Sequence, residues 1–270
     1  MLTPQQQAAY DHDGYVVVRG LLAEKACERM CARIWDALEA VHGIRQGEPD
    51  SWTHPMPRGL QDLCKSDGLA EIAAPAFLEA VDDLLGPDSW DPPSHWGGPL
   101  PNFPTHGEWN VPCRMWHLDY PVRGNYGPRF ATKALCAVAP IAPRGGGTLL
   151  IEGSHRLCTL RANEAPDGNV GGSSEVRKRL AAESDWFGSL VSAGDPAERI
   201  QRFMDEGTEI DGIPLRVVEF SADAGDVLFF HPWLFHNSSP NSSDTPRMQV
   251  GQNLTTRGGL AIYAKGRSDT

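Results

Sequence analysis

Three segments of the 270-residue chain concentrate side chains that could do chemistry. The first is Met115-Trp116-His117-Leu118-Asp119-Tyr120-Pro121. On a strand, side chains alternate with a period of two, so His117 and Asp119 would point to one side. An imidazole and a carboxylate displayed together can grip one divalent metal. Pro121 cannot extend a strand ladder, which puts the pair at a rim. The second segment runs from Gly225-Asp226 through His231-Pro232 to His236-Asn237-Ser238-Ser239-Pro240-Asn241. Either histidine could be a third ligand. They are five apart, so a plain strand would turn them to opposite faces, but Pro232 makes that parity ambiguous and leaves both open. The third is Pro246-Arg247-Met248-Gln249-Val250-Gly251-Gln252-Asn253. Here Arg247, Gln249, Gly251 and Asn253 share one strand face, and Met248 and Val250 share the other. A guanidinium on such a face can clamp a carboxylate through two parallel hydrogen bonds; the plainer reading is a surface strand with a solvated Arg247.

Taken together, the segments describe one centre. Two histidines and a carboxylate on one face of Fe(II) leave three coordination positions open. A 2-oxo acid fills two of them and O2 the third. The distal carboxylate of 2-oxoglutarate then needs a cation, and Arg247 is the candidate.

The elements around these segments point to a β core. Gly14-Tyr15-Val16-Val17-Val18-Arg19-Gly20 reads as a first strand. Further strands are expected at 114–118, 133–139, 148–151, 215–220, 226–230 and 247–255, each bounded by turn residues. Apolar spacing predicts a helix over 24–41, and another over 69–85 that Pro75 kinks or splits. Residues 92–112 read as loops with room for one short strand. A polar insertion, 156–213, carries two helices near 174–190 and 196–204 and reads as a lid-like element. The expected whole is one domain over 1–270, an N-terminal helical layer packed on a β-sandwich or barrel.

Composition sets the remaining bounds. There are 24 Lys plus Arg against 35 Asp plus Glu, a formal charge of -11. That balance excludes a charge-driven nucleic-acid binder. Six cysteines in a chain this long are too few for a disulfide scaffold, so they read as reduced thiols. Residues 1–7 have no basic or apolar character of a secretory signal, and no apolar run reaches the ~18 residues of a membrane helix. A cytoplasmic location without a membrane partner is the expectation, as a monomer or homodimer. His12, His42, His54, His95 and His106 have no ligand-type neighbours at useful spacing and read as surface or hydrogen-bonded residues.

The chain resembles the phytanoyl-CoA dioxygenase (PhyH-like) group of Fe(II)/2-oxoglutarate oxygenases over nearly its whole length. The resemblance starts at Tyr10-Asp11-His12-Asp13-Gly14-Tyr15-Val16-Val17-Val18 and includes His117-Leu118-Asp119. It continues at Gly145-Gly146-Gly147-Thr148-Leu149-Leu150-Ile151-Glu152-Gly153-Ser154-His155, then Gly225-Asp226 to His236-Asn237-Ser238-Ser239-Pro240-Asn241, and ends at Arg247. It implies a mainly β fold with flanking helices, a double-stranded β-helix (jelly-roll, cupin-like) core. It implies Fe(II) held by His117, Asp119 and His236, with His155 and His231 not ligands. It implies that Arg247, helped by Ser238, binds the far carboxylate of 2-oxoglutarate. Leu118 departs from the glutamine several relatives carry, which puts a co-substrate contact there in doubt. Intact Asp119 favours hydroxylation or another oxidation over halogenation. The implied reaction oxidises an unactivated C–H bond of a small molecule and releases succinate and CO2. Trp116, Tyr120, Arg123, Gln249 and Asn253, with Trp109 and Arg129, are candidates to line the substrate pocket. The acidic balance leans away from a CoA thioester. Two other readings of the same barrel are a metal-dependent hydrolase or isomerase and a non-catalytic binding module.

Overall fold

The computed structural model describes residues 1–268 except His106, and of 263–268 the backbone alone. His106 therefore lies outside the described residues. The strands are β1 Tyr15–Val18, β2 Gly98–Asn102, β3 Val122–Arg123, β4 Ala131–Ala137, β5 Thr148–Glu152, β6 Asn169–Gly171, β7 Thr208–Ile210, β8 Ile213–Glu219, β9 Val227–Phe230, β10 His236–Ser238 and β11 Arg247–Thr255. The helices are α1 Pro4–Asp13, α2 Glu24–His42, α3 Gln61–Lys65, α4 Pro75–Leu85, α5 Ser154–Glu164, α6 Ser173–Glu183, α7 Asp185–Leu190, α8 Pro196–Ile200 and α9 Arg257–Ser268. One antiparallel sheet has the order β1-β9-β4-β11-β2 and a second the order β10-β5-β8-β7; β3 and β6 pair separately. Two facing sheets of short strands, with helices outside them, make the expected jelly roll.

Alternation explains the layering. The outer face of the first sheet, with Ala134, Cys136, Phe229, Met248 and Val250, packs on Met30, Ile34 and Leu38 of α2 and Phe77, Val81 and Leu84 of α4. Its inner face, with Leu135, Leu228 and Phe230, meets Leu150 of the second sheet and Phe220, which follows β8. Covered on both sides, β9 is buried at every position, which is why Val227-Leu228-Phe229-Phe230 reads as a continuous apolar run. Pro75 does split its segment: Ala70–Ile72 is a lone 3-10 turn, and α4 starts at Pro75, where the missing N–H costs nothing.

The insertion departs from expectation in its role. Residues 156–213 place Val176, Leu180, Trp186, Phe187, Leu190 and Phe203 against Leu149, Ile151, Leu215, Val217 and Phe235, on the outside of the second sheet. It buttresses that sheet and supplies none of the residues lining the cavity described below. A buried arginine knits it: Arg199 donates to the carbonyls of Val111, Ser189, Ser192 and Leu190 at 2.6–2.9 Å. Among the described residues, no helix is long and apolar enough to cross a membrane.

Candidate active site

The strand expected at 114–118 is reduced to one isolated bridge between His117 and His236. Each donates its backbone N–H to the other's carbonyl at 3.1 Å, and Asp119 N–H donates to Pro232 O at 3.1 Å. Docking on the 232–236 segment, and not strand alternation, is what brings His117 and Asp119 together. Met115, at φ 67°, makes the bend that allows it. In that left-handed conformation its carbonyl accepts the His117 Nδ1 proton at 2.9 Å. His236 is held the same way, Nδ1 donating to Leu234 O at 3.0 Å. Both bonds fix the tautomer whose bare Nε2 is free to ligate.

Those two nitrogens and Asp119 converge. One ligand atom from each of His117, Asp119 and His236 lies within 4.8 Å of the others. Asp119 Oδ1 is 3.9 Å from His117 Nε2 and 3.6 Å from His236 Nε2. His236 Nε2 is buried without a hydrogen-bond partner, an arrangement that a metal would satisfy. Burial pushes the His236 imidazole down to about 3, so it is neutral at pH 7. Burial also opposes ionisation of Asp119, but His236, Lys133 and His117 outweigh it and hold the carboxyl below its usual range. The residues present therefore fit a divalent metal, and two nitrogens plus one carboxylate oxygen suit Fe(II) with open positions.

Arg247 opens β11 and faces inward with Gln249, while Met248 and Val250 face the helical layer, the parity read from the sequence. Its guanidinium is 5% exposed as a residue, and no carboxylate pairs with it among the described residues. Nη1 donates to Gly146 O at 2.6 Å and Ser238 Oγ at 3.1 Å, and Nη2 to Leu100 O at 3.1 Å. Burial lowers it to about 10, leaving it fully cationic at neutral pH. Arg247 Nε and Gln249 Nε2 are buried and lack partners. A buried cation with idle donors calls for an anion.

Gly146 is the hinge of this anion pocket. At φ +78°, a Cβ there would lie 2.6 Å from Asn102 Nδ2 and 2.9 Å from Asn241 Cβ. Asn102 in turn donates to Gly146 O, Ser238 Oγ and Ser239 O. Gly146→Ala is therefore expected to cost about 2–5 kcal/mol by chemical denaturation, combining a left-handed backbone penalty with overpacking.

The site sits in a cavity of about 760 Å³ that runs from His117, His236 and Arg247 to a rim formed by 55–61 and 112–115. Arg58, Arg114, Lys133 and Arg247 line it, and among the described residues no Asp or Glu does. The acidic balance of the whole chain thus does not extend to the lining of this cavity. Of the pocket candidates read from sequence, Gln249 lines the cavity and the others do not. Trp116 is 1% exposed in the insertion-side core and donates to Pro112 O. Tyr120 hydrogen-bonds Thr255 Oγ1. Arg123 is committed to the β3–β6 pair, and Asn253 is exposed at the far end of β11. Trp109 is buried under the Arg144 guanidinium, and Arg129 pairs with Asp11. Leu118 is buried in the insertion-side core, its backbone N–H donating to Ser173 Oγ. Sequence reading missed Lys133 and Asn102; Lys133 is the one charged residue in the otherwise uncharged strand Ala131-Thr132-Lys133-Ala134-Leu135-Cys136-Ala137, a signal it left unused.

His231 and His155 are occupied elsewhere. His231 Nε2 donates to Pro128 O at 3.2 Å while Nδ1 accepts the Trp233 N–H at 3.1 Å. His155 Nε2 donates to Asp11 O at 3.0 Å, tying α1 to the sandwich. Burial drives His231 down to about 3 and His155 down to about 4. Both pKa values are lower folded than unfolded, so their contribution to stability is intact above ~6.5 and lost as pH falls below that toward 4 and 3. Unfolding free energy is expected to drop by up to about 1.4 kcal/mol per pH unit for each histidine in that window. Denaturant melts from pH 7.5 to 5 on wild type and His231→Gln check this, the variant showing the shallower decline.

The family model described as "Phytanoyl-CoA dioxygenase (PhyH)" matches residues 10–249. No curated protein matches the chain. Among solved structures, AviO1 from Streptomyces viridochromogenes Tue57 is similar at TM-score 0.56 and 15% identity, over 95% of this chain and 97% of that one. The non-heme alpha ketoglutarate dependent carbocyclase SnoK from nogalamycin biosynthesis is similar at TM-score 0.54 and 18% identity, over 98% and 90%. The epimerase SnoN in complex with Fe3+, alpha ketoglutarate and nogalamycin RO is similar at TM-score 0.50 and 18% identity, over 96% and 88%. At these identities the likeness is one of fold.

Proposed function

The chain belongs to the phytanoyl-CoA dioxygenase (PhyH) family, and from that premise we propose that it is an Fe(II)- and 2-oxoglutarate-dependent oxygenase that hydroxylates a C–H bond of a small molecule. The observation that carries this reading is a buried Arg247 with no protein anion among the described residues, lining the same cavity as His117 and His236 of the His117/Asp119/His236 cluster. A zinc hydrolase would have use for the cluster and none for the arginine. When bound, Fe(II) and 2-oxoglutarate supply the oxidant, consuming O2 and yielding succinate and CO2.

The chain's own residues do the rest. His117, Asp119 and His236 would hold the metal, two through Nε2 and one through a carboxylate oxygen. Arg247, steadied by Gly146 O and Ser238 Oγ, binds the distal carboxylate and so sets which way the co-substrate's keto acid end faces. Gln249, its Oε1 accepting from Thr148 Oγ1 at 3.4 Å, keeps its amide for the same ligand. The Pro- and Met-rich rim around Arg58 and Arg114 admits a substrate with an apolar body and excludes water once filled. We read 1–270 as one catalytic domain. The test is a metabolite screen with Fe(II), 2-oxoglutarate and O2. Substrate-dependent succinate together with gain of one oxygen atom supports hydroxylation. Succinate with loss of two hydrogens moves the outcome to desaturation or ring closure, and no succinate with any candidate counts against the oxygenase reading.

A further inference from the structure

Lys133 enters the site from β4. Its register partner on β9 is Phe230, so its side chain points inward as Leu135 does. The ammonium lies 5.9 Å over the Phe230 ring, and that ring is 4.8 Å from His236. Lys133 Nζ lies 2.9 Å from Asp119 Oδ2, with side chains only 18% and 12% exposed. The two carboxylate oxygens are thereby divided: Oδ1 faces both Nε2 atoms and Oδ2 faces the ammonium.

We infer that Lys133 is a positioning residue that confines Asp119 to one-oxygen ligation, keeping three positions free for co-substrate and O2. The inference rests on the metal-centre reading above. A carboxylate can ligate through one oxygen or two, and the second oxygen would occupy a position that 2-oxoglutarate needs. An ion pair to Oδ2 in a part-buried site makes that second mode costly, because it would strand the ammonium. The same charge sits close to the metal and opposes its binding. Removing it therefore has opposite effects on the two ligands, a signature that loss of packing cannot mimic.

The experiment compares wild type, Lys133→Met and Lys133→Arg loaded with Co(II). Lys133→Met is expected to bind Co(II) equally or more tightly, to show an altered visible d–d spectrum as the second oxygen enters, and to bind 2-oxoglutarate more weakly, by about tenfold or more. Lys133→Arg, which keeps the cation, restores the wild-type spectrum. An unchanged spectrum and 2-oxoglutarate Kd in Lys133→Met overturns the inference and leaves the metal centre standing. Parallel weakening of both ligands, with a lowered melting temperature, also overturns it, in favour of a merely structural lysine. Wild type that binds no Co(II) overturns both readings.

Discussion

Asp119→Ala is expected to abolish substrate-dependent succinate formation and to weaken Fe(II) or Ni(II) binding by more than about 100-fold, the upper end for losing a residue that only supports a ligand. Asp119 is the anionic member of the cluster, and its Oδ1 stands between the two bare Nε2 atoms. Without it, the cluster keeps no anionic ligand and stands beside the Lys133 cation, a poor environment for a dication. Because that deletion also leaves Lys133 without its partner, folding needs a control, and Asp119→Asn supplies it with nearly the same shape. Calorimetric metal titration of both variants reads the effect directly. Metal binding within a few-fold of wild type would remove Asp119 from the ligand set.

Arg247→Ala is expected to leave metal binding intact while weakening 2-oxoglutarate by about 2–5 kcal/mol, the cost of truncating one partner of a buried charge pair. That corresponds to a rise in Kd from about 30-fold to a few thousand-fold. The size follows from burial: the guanidinium is shielded from water and its Nε is idle, so the co-substrate carboxylate would meet it with little screening. At pH 7 the charge is not in question, since burial lowers Arg247 only to about 10. Equal affinity for 2-oxoglutarate in wild type and variant would place the anion elsewhere. Succinate, which keeps the distal carboxylate and lacks the keto group, should lose affinity in the same variant.

The strands were legible where one physical rule decides them. β11 begins and ends at the residues expected, and alternation over its first four residues separates Arg247 and Gln249 from Met248 and Val250. α2 follows from apolar residues at helical spacing closed by Gly43 in the left-handed conformation. The histidine-carboxylate pair was found for a reason that does not hold. His117 and Asp119 share a side through docking on the 232–236 segment and the bend at Met115, neither of which periodicity records. Of the elements missed, α1 had a usable sign: Thr3 caps it in a reciprocal box with Gln6, and Pro4 stands at its first position. The single-bridge character of 114–118, and the burial of Trp116 away from the cavity, depend on the insertion packing behind that segment, which is tertiary information. Proximity in sequence to a ligand motif was thus a poor guide to the pocket wall. The wall comes instead from 55–61, 98–102 and the inward side chains of β4 and β11.

The central claim is that one cavity binds a metal through His117, Asp119 and His236 and a 2-oxo acid beside it. Anaerobic titration of 2-oxoglutarate into the Fe(II)-loaded protein tests it most directly, because a 2-oxo acid chelating Fe(II) through its carboxylate and keto oxygens produces a weak visible charge-transfer band. A band that saturates at one equivalent, disappears in Asp119→Ala and needs far more 2-oxoglutarate in Arg247→Ala is the expected result. No band in wild type with Fe(II) bound, or one indifferent to both substitutions, would contradict the account.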